Sequence, residues 1–140
     1  GVCMSFKFEK LEVWQLSLEY TDRIYQLSST LPHDEDYNLK SQIRRDATSV
    51  TLNIAEGSTS QTDAEQRRFI GIAIRSLVET VACLHLIHRH HRLDNLQLLR
   101  DTYSDSQKLF AKLQAFQNAL SPKHLREDPP NYSFEDPIPF

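Results

Sequence analysis

The chain has 140 residues, of which 39% are hydrophobic and 25% charged, with 3 glycines and a net charge of −3. That length suits one domain with a real hydrophobic core, and the scarcity of glycine suits a helical protein with few tight turns. The charge excludes a chain that is a polyanion binder by bulk composition.

The charge is uneven along the chain. Residues 1–39 carry 3 Lys and Arg against 7 Asp and Glu, residues 40–92 carry 8 against 5, and residues 93–140 carry 5 against 7. A basic middle between acidic ends either makes a local patch or pairs within the molecule, and opposite charges on neighbouring helices ordinarily pair. Cys3 and Cys83 are the only cysteines, a usage that predicts no structural disulfide and an intracellular, cytoplasmic protein. No unbroken apolar run reaches the roughly 18 residues of a membrane span, and no secretory h-region is seen. The opening GVCMS has the form of a processed myristoylation signal with Cys3 as a second lipid site. Five-residue motifs match by chance, so the expectation is an extraneous leader ahead of a start at Met4.

The first helix is expected over about residues 9–31. Leu11, Trp14, Leu18, Tyr25 and Leu31 lie near one stripe, with Ile24 and Leu27 beside it. Leu31-Pro32 ends it, because proline disfavours helical geometry in the residue before it. Phe6 and Phe8 stand ready to seal the end of the core.

The second helix is expected over about 34–56. Asp34, Glu35 and Asp36 place negative charge where the helix dipole favours it. Leu39, Ile43, Ala47, Val50 and Ile54 define its core stripe. Gly57 then reads as a stop, since glycine takes positive φ without a Cβ clash. Thr62-Asp63-Ala64-Glu65 reads as a capping box that starts the next helix. The connection is short, so these two helices should run antiparallel.

The third helix is expected over about 63–91, with Phe69, Ile72, Ala73, Ser76, Leu77, Thr80, Leu84 and Ile87 repeating every three or four residues. The fourth, about 94–120, starts at the potential cap Asp94 and carries Leu96, Leu99, Tyr103, Ser106, Phe110, Leu113 and Leu120. Ser121-Pro122 stops it. Residues 121–140 have five prolines and no period. They read as a tail, disordered or docked on a neighbour through Tyr132, Phe134, Ile138 and Phe140. The expected fold is therefore all-α: an up-down-up-down antiparallel four-helix bundle over residues 1–120 with a Pro-rich tail.

A second stripe on the second helix is polar: Gln42, Arg45, Ser49, Asn53 and Glu56, roughly 120° from the core stripe. It lies between the outward side and the core, within reach of Arg75 and Glu79 on the third helix.

At these residues the chain resembles a known family. The stretch FEKLEVWQLSLEYTDRIYQLSSTLP, followed by YNLKSQIRRDATSVTLNIAEGSTSQTDAEQRRFIGIAIRSLVETVACL, is similar to the four-helix-bundle proteins encoded by intervening sequences of 23S ribosomal RNA genes. The likeness covers about residues 6–120 and is most specific at QIRRDATSVTLNIAEG and FIGIAIRSLVET. Arg75, in IRSL, departs from the glycine more usual there and replaces close helix contact with a possible salt bridge.

The resemblance implies an antiparallel bundle and a ring-like homopentamer. The same likeness extends to accessory proteins of diversity-generating retroelements, which bind nucleic acid and a reverse transcriptase through a strongly basic surface. This chain lacks that overall basicity. In this setting Gln42, Arg45, Asn53, Glu56 and Glu79 are expected to form a polar network that fixes helix register or subunit contacts.

Catalytic patterns are weak. His85 and His88 could face one metal, and His91 lies a further three residues on, but surface histidines near a helix C-terminus are the plainer expectation. Glu79 lacks a partner acid or base set by spacing. No phosphate-cradling loop, nucleophile elbow or metal motif occurs, so no enzyme activity, cofactor or metal is expected. Lys40, Arg44, Arg67, Arg68, Arg89 and Arg92, with Arg45 and Arg75, all lie on the middle helices. A ring would repeat such a patch and strengthen weak nucleic-acid contacts. The sequence thus points first to a non-enzymatic, self-associating scaffold or adaptor with a protein partner, and second to a nucleic-acid-binding accessory protein.

Overall fold

In the computed structural model, which describes residues 5–128 and 137–140, the chain forms four α-helices and three short 3-10 turns, with no strand among the described residues. The helices are α1 (Glu12–Ser28), α2 (Leu39–Gly57), α3 (Asp63–His90) and α4 (Leu96–Ala119). The expectations for Cys3, Met4, Tyr132 and Phe134 lie outside the described residues.

Cross-helix pairs set the arrangement. On α2 and α3, Asp46 meets Glu79, Ser49 bonds Ser76, and Gly57 faces Phe69. On α1 and α4, Glu12 pairs with Lys112 and Arg23 with Asp101 and Asp105. On α3 and α4, Arg67 reaches Leu120, Gly71 faces Gln117, and His85 meets Tyr103. In each pair residue numbers rise along one helix as they fall along the other. Their inner flanks enclose one core that includes Ile24, Ile43, Ile54, Leu77, Leu84, Leu99 and Leu113.

α2 buries the expected stripe from Leu39 to Ile54. On α1 the stripe is displaced. Leu18 and Tyr25 are exposed (43% and 44%), while Val13, Ser17, Tyr20, Ile24 and Leu27 form the inner face. On α4, Leu98, Thr102 and Leu109 take inner places expected for Leu96, Tyr103 and Phe110. On α3, Ile70 is fully buried, whereas Phe69 and Ile72 are only partly so.

Hydroxyls occupy core positions, and at Ser17 and Thr102 they are ones the expected stripes left out. Ser17 donates to the Trp14 carbonyl at 2.6 Å, Thr80 to Leu77 at 2.6 Å, Thr102 to Leu98 at 2.7 Å and Ser106 to Tyr103 at 2.5 Å. A hydroxyl bonded to its own helix can be buried at little cost, so a stripe traced through apolar residues alone misses it.

The helix ends also depart from expectation. Residues His33–Glu35 form a 3-10 turn, so the acidic run precedes α2 rather than opening it. Asp36 instead holds Lys40 at 2.6 Å and His33 at 3.2 Å. Gly57 does not have positive φ. α2 unwinds through right-handed turns at Ser58–Ser60, where the Ser58 and Thr59 hydroxyls donate to the carbonyls of Ala55 and Glu56. Glycine is required at 57 for a different reason: a Cβ there would stand 3.0 Å from the Phe69 Cβ. Thr62 caps α3 as the motif indicated, accepting from the Glu65 amide at 3.1 Å. Asn95, not Asp94, caps α4, accepting from Leu98 N–H at 3.1 Å. Phe8 packs edge-on against Trp14, but Phe6 is 72% exposed and seals nothing.

α3 is long and apolar enough, by length and composition alone, to cross a membrane. The sequence shows no unbroken run because Arg75 and Glu79 interrupt it. In the fold α3 packs between α2 and α4, yet only 39% of its most apolar stretch is buried within the chain.

Candidate functional site

The polar stripe of α2 and the outer side of α3 meet along one surface. Gln42 lies at its edge and donates both of its short contacts, 3.0 Å each, to the two Asp46 carboxylate oxygens. Asp46 is buried and touches Glu79 across the helix pair. The hydrogen bond from Asp46, then its negative charge, then burial hold the Glu79 carboxyl above its ordinary pKa. A proton shared across the contact would relieve the repulsion between the two carboxyls, and Gln42 donates to Asp46. One helical turn along, Ser49 bonds Ser76 at 2.8 Å and Asn53 donates to the Ser49 carbonyl at 2.8 Å and hydroxyl at 3.1 Å.

These contacts bring Gln42, Asn53 and Glu79 onto the α2–α3 seam, through Asp46 and Ser49 as intermediaries. Arg45 and Glu56 are placed differently. Both are exposed and, among the described residues, neither makes an ion pair within the chain. They line an open depression of about 470 Å³ with Tyr25, Arg44, Thr48 and Leu52. Leu52 is 58% exposed there, and Val78 and Leu86 are exposed on the outer side of α3. Arg75 is exposed beside them, likewise with no ion pair among the described residues.

Beneath Glu79, burial pushes the Cys83 thiol up to about 11, and the charges of Asp46 and Glu79 add to the shift. Cys83 is thus a protonated core group rather than a nucleophile at neutral pH.

The basic residues separate. Lys40 is tied to Asp36. Arg44 donates to Ser28 Oγ at 2.7 Å and Ser29 Oγ at 3.1 Å and lies 4.5 Å over the Tyr25 ring. It satisfies the C-terminal turn of α1, where a cation is favoured. Arg67 donates to the Leu120 carbonyl, and Arg68 lies over the Phe69 ring. Arg89 is exposed about 33 Å from Arg67 along the α3 axis, at 1.5 Å per residue, and Arg92 is exposed just past the end of that helix. The six do not form one continuous tract.

The histidines also separate. His91 lies 3.5 Å from Glu35. His85 and His88 instead flank the ring of Phe140, with centroids at 5.2 and 4.9 Å. Tyr103 packs edge-on against the same ring at 5.4 Å, and Arg100 donates to the Phe140 carbonyl at 2.8 Å. Among the described residues, no three His, Cys, Asp or Glu side chains gather in a way that would hold a metal ion.

Sequence reasoning missed Asp46, the central acid of the seam, and Tyr20, whose hydroxyl bonds Thr80 across the core at 2.6 Å. The first was legible: Asp46 is four residues from Gln42, on the stripe's inner edge, in a helix interior that aspartate disfavours. The second had no local signal, because the partners are 60 residues apart.

Residues 9–115 match the family model of the 23S rRNA-intervening sequence protein. A solved protein of unknown function from the S23 ribosomal protein family of Bacteroides thetaiotaomicron VPI-5482 superposes with a TM-score of 0.68 at 26% identity. The alignment covers 75% of this chain and 97% of that one. No curated protein matches the chain.

Proposed function

The chain belongs to the 23S rRNA-intervening sequence protein family, and on that premise we propose that it is a non-enzymatic, self-associating scaffold or adaptor. In this reading it is an antiparallel up-down-up-down bundle whose outer α2–α3 surface packs on a different face of the next copy, closing a ring of five. The observation that carries the reading is the outer face of α2 and α3, where Leu52, Val78 and Leu86 are exposed beside Arg45, Glu56 and Arg75. Exposed aliphatic side chains rimmed by polar ones are what a subunit contact offers.

The polar residues fit the same role. Gln42 and Asn53 brace Asp46 and Ser49, which meet Glu79 and Ser76 across the α2–α3 seam. Arg45, Glu56 and Arg75 carry opposite charges without an ion pair among the described residues and so are available to a neighbouring copy. Polar contacts of this kind select one packing over others without adding much net affinity.

The test is mass in solution. The expected species is five times the 16.3 kDa of one chain. Val78→Glu with Leu86→Glu should dissociate it while leaving helicity intact, because both side chains are exposed in the single chain. Arg45→Met should weaken assembly as well. A wild-type mass of one chain at tens of micromolar would remove the proposal.

A second reading, nucleic-acid binding, draws on Arg89 and Arg92, which are exposed and without a bonding partner among the described residues. Filter binding to RNA and DNA at two salt concentrations tests it, since phosphate contacts weaken steeply with salt. No retention at low salt would leave the scaffold reading alone.

A further inference from the structure

The segment 137–140 has a defined seat on the bundle. Phe140 enters the groove between α3 and α4, where two imidazoles and a phenol surround its ring. Arg100 fixes its backbone through the 2.8 Å bond to the carbonyl. Pro137 and Pro139 bracket Ile138, so this stretch is pre-set toward an extended conformation and loses little entropy on docking.

The segment lies outside the part of the chain that the family shares. The family match ends at residue 115, and the Bacteroides relative is 97% covered by only 75% of this chain. Phe140 packs on the outside of the core, over the fully buried Leu84, Ile87 and Leu99. Among the described residues, the segment's seat is made by the Phe140 ring and the Arg100 hydrogen bond, with Ile138 half-buried beside them. That is the composition of a ligand contact: aromatic and imidazole faces for the ring, and a guanidinium for the main chain.

We propose that the α3–α4 groove lined by His85, His88, Arg100 and Tyr103 is a peptide-docking site that reads a proline-framed aromatic residue, and that residues 137–140 of the same chain are its dissociable occupant. Tethering gives the segment an effective concentration in the millimolar range, so it fills the groove even if its intrinsic affinity is weak. A competing segment of the same chemistry gains access when the tethered one is released.

The test uses the full chain carrying Phe140→Ala, which empties the seat without changing any residue of the four helices, and a fluorescent peptide with the sequence of residues 136–140. The peptide should bind the variant saturably and bind the wild-type chain at least ~10-fold more weakly, because the tethered copy competes. Adding Arg100→Ala, at an exposed position, should cost the variant a further several-fold. The ring proton signals of His85 and His88 should differ between wild type and Phe140→Ala by the same amount at low and high chain concentration. Failure of the variant to bind the peptide at millimolar concentration would overturn the proposal, as would equal binding by both chains. Histidine signals that shift with chain concentration would overturn occupancy by the chain's own segment in favour of exchange between copies.

Discussion

The Tyr20–Thr80 bond permits a quantitative test of how the core is held. Both side chains are essentially fully buried, on α1 and α3 respectively. Thr80 has one hydroxyl proton, and it goes to the Leu77 carbonyl at 2.6 Å. The 2.6 Å contact with Tyr20 must therefore be donated by the phenol. Burial drives the Tyr20 pKa far above its ordinary value, more than the Thr80 hydrogen bond offsets, so the donor proton stays in place at any ordinary pH.

The two single variants are then unequal. Tyr20→Phe removes a donor and leaves Thr80 still bonded to Leu77, which should cost about 1 kcal/mol. Thr80→Val keeps the shape but strands a buried phenolic O–H, which should cost about 2 kcal/mol, near the middle of the range for an unsatisfied buried donor. With both changes neither hydroxyl is left seeking a partner, so the double variant should cost clearly less than the sum, by roughly 1 kcal/mol or more. Urea unfolding followed by circular dichroism and Trp14 fluorescence, at one fixed chain concentration so that assembly does not intrude, gives the three values. Additive effects, or a Tyr20→Phe cost above that of Thr80→Val, would refute the proton assignment.

Other consequences follow from single contacts. Gly57→Ala puts a Cβ 3.0 Å from Phe69 Cβ, an atom that cannot swing away, so overpacking of roughly 1–3 kcal/mol should outweigh the gain in helix propensity. Gly71→Ala meets only the Gln117 amide nitrogen at 3.1 Å, the tip of a flexible side chain. It should stabilise by up to about 1 kcal/mol, less what is lost if Gln117 gives up the Arg67 carbonyl; thermal midpoints moving the opposite way in both variants would contradict this account. Cys83 should resist a thiol reagent at neutral pH until the chain unfolds, and labelling at the rate of a free thiol would show that the site is open. Glu79 has a raised folded-state pKa, so its contribution to stability is full below its unfolded value, near 4.5, and fades as pH rises through the folded value. Glu79→Gln should flatten that decline, and parallel wild-type and variant curves of urea midpoint against pH would count against the shared proton.

The four helices were legible because their apolar positions recur at helical spacing and their connections carry break and start signals at Pro32, Gly57 and Thr62; the start of α4 was placed one residue early, at Asp94 instead of Asn95. α2 was read almost residue for residue, since its inner face contains aliphatic side chains at Leu39, Ile43, Ala47, Val50 and Ile54. α1 was misread by one face because Ser17 and Tyr20 stand where a hydrophobic count expects aliphatic groups. Period alone could not choose between two stripes that both recur every three or four residues. Gly57 was marked correctly as special and for the wrong reason: a positive φ is a local property, while a close approach to Phe69 exists only once two helices have packed. The α2–α3 seam was half legible. Gln42, Asn53 and Glu79 were visible by spacing; the acid that joins two of them, Asp46, was overlooked although its four-residue spacing from Gln42 marks it, and the seat of Phe140 depends on contacts between residues 37 to 55 positions apart.

Charge pairs join the outer edges of α1 and α4. Arg23 is matched by Asp101 and Asp105, and Lys112 by Glu12. Between α1 and α2, Arg44 is absorbed by two serines and a tyrosine. Exposed pairs of this kind are worth at most about 1 kcal/mol each, so they do not hold the fold together. The outer α2–α3 surface is distinguished by its aliphatic groups. It combines exposed Leu52, Val78 and Leu86 with Arg45, Glu56 and Arg75, whose charges find no ion pair among the described residues. Burying the aliphatic groups there would add roughly 25 cal/mol per Å² without the cost of breaking pairs already made. If copies of the chain meet, this side gains the most by being covered.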